Sequence, residues 1–95
     1  MPELRFRVRW PDQSSSLCYS PSTTIRDALR LQQPYTVEDF VQAATAALEQ
    51  GSRRVAAKYG FGCGQALAQI AEIRQRASAF AGDPDARIIV ESFED

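Results

Sequence analysis

The sequence predicts a small α+β domain in the order ββαααβ: a three-stranded sheet, made of a β-hairpin and a C-terminal strand, packed against one short and two long helices. Three observations predict it. Residues 4–10 alternate between apolar and basic side chains, apolar residues recur at helical spacing between 36 and 81, and residues 86–93 read as a strand. The 95 residues fit a single domain, 1–95.

The first strand has two chemically different faces. Its side chains alternate between an apolar set, Leu4, Phe6, Val8 and Trp10, and a basic set, Arg5, Arg7 and Arg9. We expect the apolar set to be buried against the helices and the arginines to be exposed, because successive side chains of a strand point to opposite faces. Residues 11–14 have turn chemistry, and a second strand over 16–20 completes the hairpin. Leu17 and Tyr19 compete with Cys18 for its inner face.

Capping and breaking residues delimit the helices. A short helix is expected over 22–30, and residues 32–35 end it. Thr36 is the expected cap of the next helix, with Asp39 in a variant of the capping box, and this helix runs to about Tyr59.

The last helix is expected over 64–81, before the break at 82–85. Its predicted inward residues are Leu67, Ile70, Ile73, Ala77 and Phe80. We place the C-terminal strand beside the first strand, with the helices on one face of the sheet. A parallel return there would require a right-handed crossover.

The bulk composition disfavours several classes of function. The formal net charge is −1 and the isoelectric point is about 5.4, so no basic field favours nucleic acid. No apolar run approaches the ~20 residues of a membrane span, and the charged N-terminus reads as a strand and not as a signal peptide, which predicts a cytoplasmic protein without membrane contact.

The absence of histidine narrows the chemistry further. Ser-His and Cys-His nucleophile pairs and histidine-containing metal motifs are impossible. The only two cysteines, Cys18 and Cys63, cannot form a four-thiolate site, and a reducing cytosol predicts that they are free thiols. We therefore predict no metal, no cofactor and no catalytic residue.

A glycine-rich run, residues 59–64, separates the two long helices. One glycine is enough to end a helix, so the additional glycines bring bare backbone and a thiol to the start of the last helix. The candidate ligand-binding residues are Tyr59, Phe61, Gly62, Cys63 and Gly64. The alternative interpretation, which we favour, is that these glycines only let two helices turn sharply.

The arginine row is the candidate partner surface. Arg5, Arg7 and Arg9 would present a positive face to an anionic partner. The alternative is a solvated outer face whose arginines pair in part with Glu91 or Glu94 of the last strand, and the absence of aromatic residues among the arginines favours it.

Four segments carry a resemblance to a known family. They are the opening MPELRFRVRWPD, CYSPS at 18–22, YTVEDFV at 35–41 and KYGFGC at 58–63. Together they resemble the small bacterial nitrogen starvation response proteins over nearly the whole chain. The resemblance implies a gene cluster with a nitrilase, a radical-SAM enzyme, an acetyltransferase, a flavoprotein and a purine-pathway-like synthase, and it supplies no catalytic residues. Gln13 stands where the family pattern has Gly, and Gly64 stands where Ser often follows the cysteine.

Two hypotheses of function follow. The first is a non-catalytic accessory or adaptor protein that binds a partner protein from the nitrilase gene cluster. The second is a small-ligand-binding protein or minor enzyme that uses the region of Cys63. The lack of histidine and of catalytic motifs favours the first.

Overall fold

The computed structural model describes residues 4–21, 23–60 and 64–94, with the side chains of these ranges except at 55, 56, 58 and 59. The hairpin forms as predicted: β1 (Leu4–Arg9) pairs antiparallel with β2 (Ser15–Ser20), and Phe6 lies opposite Cys18. The C-terminal strand β4 (Arg87–Glu94) lies on the other side of β1. The mixed α+β class and this neighbourhood of strands are confirmed.

The sheet has four strands and is antiparallel, which corrects the predicted three. The additional strand is β3 (Tyr35–Thr36), and the order is β2-β1-β4-β3. Strand β4 runs antiparallel to both β1 and β3, so the described strands include no parallel neighbours, and Leu31 adds only an isolated parallel bridge to Val90. The segment predicted to end the short helix therefore also contributes a strand, in which Tyr35 lies opposite Ile88.

The helices are α1 (Thr24–Ala28), α2 (Val37–Tyr59) and α3 (Gly64–Ser78). The predicted cap of α2 is confirmed, because the Asp39 N–H donates to Thr36 Oγ1 at 3.1 Å. Helix α1 is shorter than predicted, since Leu29 already has extended backbone angles. Helix α3 ends at Ser78 and not near 81, because the N–H groups of Phe80 and Ala81 bond three residues back, as in a tight turn.

The core lies between one face of the sheet and the helices. The predicted apolar set of β1 is buried there, and Cys18, not Leu17 or Tyr19, takes the inner face of β2. The principal core side chains are Leu4, Phe6, Val8, Trp10, Cys18, Ile25, Leu29, Phe40, Leu48, Ile73, Ile88 and Val90. Trp10 is fixed edge-on to Phe40, with ring centroids 5.9 Å apart, and its Nε1 donates to Ser16 Oγ at 2.8 Å.

One predicted core residue is wrong. Leu67 is 58% exposed, whereas its neighbour Ala66 is buried. The buried face of α3 follows 66, 70, 73 and 77, and one residue of rotation, about 100°, turns Leu67 away from it. Gln69 is buried on this helix as well, and its Oε1 accepts the Tyr19 N–H at 2.9 Å.

Candidate functional site

The predicted ligand site at the α2–α3 connection lies only partly within the described residues. Phe61, Gly62, Cys63 and the side chain of Tyr59 fall outside them. Gly60 has a φ of 83°, the left-handed conformation that favours glycine at a helix end. Gly64 begins α3, and a Cβ added there would meet no atom of the described residues within 4 Å. The end of α2 and the start of α3 are therefore as predicted, and ligand binding at this connection stays a prediction.

The arginine row lies on the outer face of the sheet, which we call the outer sheet face. It comprises the outward residues Arg5, Arg7 and Arg9 of β1, Leu17 and Tyr19 of β2, and Ile89, Glu91 and Glu94 of β4. Arg7 Nε donates to Glu94 Oε2 at 3.3 Å, and Arg9 Nη2 donates to Glu91 Oε2 at 2.7 Å. Both predicted partners of the arginines are confirmed.

A β-bulge in β4 makes both ion pairs possible. Residues 91 and 94 are three apart, so in a regular strand they would point to opposite faces. The register shifts between Arg7 and Val8: Val8 lies opposite Val90, and Arg7 lies opposite Ser92. Glu91 is therefore the extra residue of the bulge. It shifts the inward–outward alternation of the side chains by one residue, so that Glu91 and Glu94 point to the same face as the arginines.

Two described residues of the outer sheet face stand out: an arginine without an ion-pair partner and a well-exposed leucine. Arg5 makes no ion pair with any residue that the structure describes, and it lies opposite Tyr19 across the hairpin. Leu17 is 46% exposed opposite Arg7. The face is thus a mixed one, in which paired charges border a leucine, a half-buried tyrosine and the guanidinium of Arg5.

Cys18 is not a candidate nucleophile. It is a free thiol, and burial raises its pKa from the ordinary 9.0 to about 11. The nearby Ser16 hydroxyl, 3.9 Å from the sulfur, lowers the pKa but does not offset the loss of solvent. Because Cys18 is both buried and protonated at neutral pH, it acts as a core side chain. The prediction for Cys63 falls outside the described residues.

Sequence reasoning missed a groove at the end of the helix pair opposite the glycine-rich run. We call it the terminal groove. It has a volume of about 540 Å³ between the start of α2, the end of α3 and the loop 81–86. Its principal lining residues are Val37, Glu38, Val41, Arg74, Ala77, Phe80, Asp83 and Pro84. No single segment carries a motif for it, because three segments distant in sequence must first pack together.

The described ranges were searched for a metal-binding cluster and for a helix that could span a membrane. No cluster of three or more histidine, cysteine, aspartate or glutamate side chains in them is placed to hold a metal ion. No helix in them combines the length and the apolar character that crossing a membrane requires.

Comparison with known proteins places the chain in a family. Neither the curated proteins nor the solved structures include a match to it. A family model described as nitrogen starvation-induced protein NitG matches residues 5–93, which span all the strands and helices except the first residue of β1 and the last residue of β4. This match supports the resemblance seen in the sequence, and the chain belongs to the NitG family of nitrogen starvation-induced proteins.

Proposed function

We propose that this protein is a non-catalytic accessory protein of the response to nitrogen starvation, and that it binds a partner protein through the outer sheet face. The family match supports the setting. The partner we propose is an enzyme of the nitrilase gene cluster that the resemblance implies. The observation that carries the proposal is the composition of this face.

Two contacts would anchor the partner. Leu17 is a large apolar side chain that is 46% exposed at the centre of β2, and burying it would contribute about 1–2 kcal/mol. Arg5 and Tyr19 lie opposite each other beside it, and arginine and tyrosine are among the residue types enriched at the energetic centres of interfaces.

The ion pairs within this protein indicate where the partner would carry a negative charge. Arg7 and Arg9 already have carboxylate partners, so they need none from another protein. Arg5 has no such partner among the described residues. The complementary surface therefore has an apolar depression for Leu17 and a carboxylate opposite Arg5.

A matched pair of substitutions tests this surface. Leu31 is 46% exposed, as is Leu17, but it lies beside β4 at the far side of the sheet. Tagged wild-type, Leu17→Asp and Leu31→Asp proteins would be expressed in a deletion strain under nitrogen starvation. The nitrilase-cluster enzymes that copurify would then be quantified by mass spectrometry.

We expect Leu17→Asp to lose the enzyme partner and Leu31→Asp to retain it. Arg5→Glu should weaken capture by about tenfold or more, because it opposes the proposed carboxylate. Equal capture by all three variants, with equal protein levels and melting temperatures, would place the contact elsewhere. Capture of none of these enzymes by the wild type would rule out the proposed partner class.

A second candidate function uses the region of Cys63. The open space around the Gly64 Cα and the left-handed Gly60 leave backbone at the start of α3 open to a ligand. Growth under nitrogen starvation with Cys63→Ser as the only copy tests it. Full growth at a normal protein level would eliminate an essential thiol. Lost growth with an unchanged melting temperature would favour this candidate over the accessory protein.

A further inference from the structure

The terminal groove has the dimensions of a small-molecule site. Its volume of about 540 Å³ lies within the range of roughly 300–1,000 Å³ usual for ligand pockets. Seven of its thirteen lining residues are apolar and come from all three segments: Val37, Val41, Ala77, Phe80, Ala81, Pro84 and Ala86. Such a surface would favour the apolar body of a ligand over water.

Local hydrogen bonds hold the walls of the groove in place. The start of α2 is fixed by the bond from the Asp39 N–H to Thr36 Oγ1. In the loop, Asp83 Oδ1 accepts the Asp85 N–H at 2.9 Å, and the Ala86 N–H donates to the Asp83 carbonyl at 3.2 Å. The groove is thus largely formed before any ligand binds, which lowers the entropic cost of binding.

The charges at the groove favour a cation. Glu38 and Asp83 line it, and neither forms an ion pair with a described residue. The basic lining residue, Arg74, already has a carboxylate partner in Glu49, with Nη2 and Oε1 3.7 Å apart. An incoming anion would therefore meet two uncompensated carboxylates, whereas an ammonium group would be attracted by both.

An aromatic ring adds to this preference. Phe80 lines the groove and is stacked on Trp10, with ring centroids 6.5 Å apart and planes inclined by 16°. A ring fixed by this contact can make a cation–π interaction with a bound ammonium group at little conformational cost.

From these observations we propose that the terminal groove binds a small organic amine in its ammonium form, with an aliphatic or aromatic body on the apolar floor and the charged nitrogen between Glu38 and Asp83. This site is independent of the partner surface on the outer sheet face. The two proposals can therefore fail separately.

Three probes of similar size and different charge test the ligand class. Isotope-labelled protein would be titrated at neutral pH with 2-phenylethylamine, 2-phenylethanol and 3-phenylpropionate, and followed by two-dimensional NMR. We expect saturable shifts for the amine at residues 37–42 and 77–86, binding of the alcohol about tenfold weaker or more, and no saturable shifts for the carboxylate.

Charge-removing variants locate the nitrogen. Glu38→Gln and Asp83→Asn should each weaken amine binding about threefold, the effect of one partly exposed charge pair, and the second variant keeps an Oδ1 acceptor to order the loop. Asp27→Asn, at an exposed position of α1 that does not line the groove, should leave amine binding unchanged. Ala81→Trp places a large ring at the exposed rim and should abolish binding.

The proposal is overturned by any of three results. These are equal binding of the carboxylate and the amine, amine-induced shifts centred outside the groove, or no saturable shift with any probe at millimolar concentration. A folded Ala81→Trp variant that binds the amine like the wild type would equally exclude the groove.

Discussion

The two faces of strand β1 differ in almost every physical respect although their residues alternate along one short segment. On the inner face, Leu4, Phe6 and Val8 are fully buried. On the outer face, the side chains of Arg7 and Arg9 are 43% and 48% exposed even with their glutamates bound. One strand therefore contributes side chains to the centre of the core on one face and to the protein surface on the other.

Because of this difference, we expect the inner face to determine stability and the outer face to determine binding. A fully buried large apolar side chain contributes about 1.5–3 kcal/mol, whereas an exposed ion pair contributes about 0–1 kcal/mol. Substitutions on the inner face should therefore test stability, and those on the outer face can change binding while the fold persists.

The largest expected effect is on the inner face. Phe6→Ala removes a ring that is 0% exposed and should lower the free energy of unfolding by about 3–5 kcal/mol. Arg5→Ala, one residue earlier, should change it by less than about 0.5 kcal/mol. Urea denaturation followed by circular dichroism measures both. Similar losses for the two variants would show that the faces do not differ in the way their burial indicates.

This contrast is also the part of the fold that the sequence predicts best. Alternation over residues 4–10 assigns every side chain of β1 to its face, since a shift of one residue would bury three arginines. The capping hydroxyl of Thr36 is equally local, because it acts within three residues. Both depend on neighbours in the sequence alone.

Features that depend on distant segments were not predictable in this way. Strand β3 has only two residues and exists through its pairing with Ile88 and Arg87. The burial of Ala66 in place of Leu67 reflects the rotation of α3 against the rest of the core. The terminal groove requires three chain segments to meet. For none of these three features does a single segment of the sequence contain a residue pattern that would predict it.

Cys18 extends the inner face to β2, and its thiol should make stability depend on pH. Well below pH 9, the Cys18 thiol keeps its proton in both the folded and the unfolded chain. Between a pKa of 9.0 in the unfolded chain and about 11 in the folded one, only the unfolded chain loses it, so the free energy of unfolding falls as pH rises. The loss should approach about 2 kcal/mol at the upper end of this window.

Cys18→Ala isolates this effect, because every other titrating group is common to both proteins. At neutral pH, the free energy of unfolding of Cys18→Ala should be lower than that of the wild type. Above pH 9, urea denaturation should show this difference shrinking steadily. A deficit that stays constant to about pH 11 would mean that the buried thiol ionises as readily as an exposed one.

The turn between β1 and β2 sets the register of the hairpin. Its backbone is strained at Gln13. Gln13 has a φ of 70°, where a residue with a Cβ is disfavoured, and its N–H donates to the Trp10 carbonyl at 2.9 Å. Gln13→Gly should raise the free energy of unfolding by about 0.5–1 kcal/mol, after the added freedom of the unfolded chain is subtracted.

Gln32 is the matched control for this substitution. Its φ is 60°, but its Nε2 also donates to the Glu91 carbonyl at 3.0 Å. Gln32→Gly gains backbone freedom and loses this hydrogen bond, so the net change should be near zero. If Gln13→Gly failed to stabilise more than Gln32→Gly in paired thermal melts, strain at the hairpin turn would not limit stability.

The smallest effect belongs to the ion pairs of the outer face. Arg9→Gln removes the Arg9–Glu91 pair, whose N–O distance is 2.7 Å, and should cost less than about 1 kcal/mol because Arg9 is about half exposed. The cost should shrink in molar salt, which screens exposed charges. Arg5→Gln, which breaks no ion pair among the described residues, should show neither the cost nor the salt dependence. A salt-independent loss above about 2 kcal/mol in Arg9→Gln would mean that this pair acts as a buried one and that the outer face contributes to folding as the inner face does.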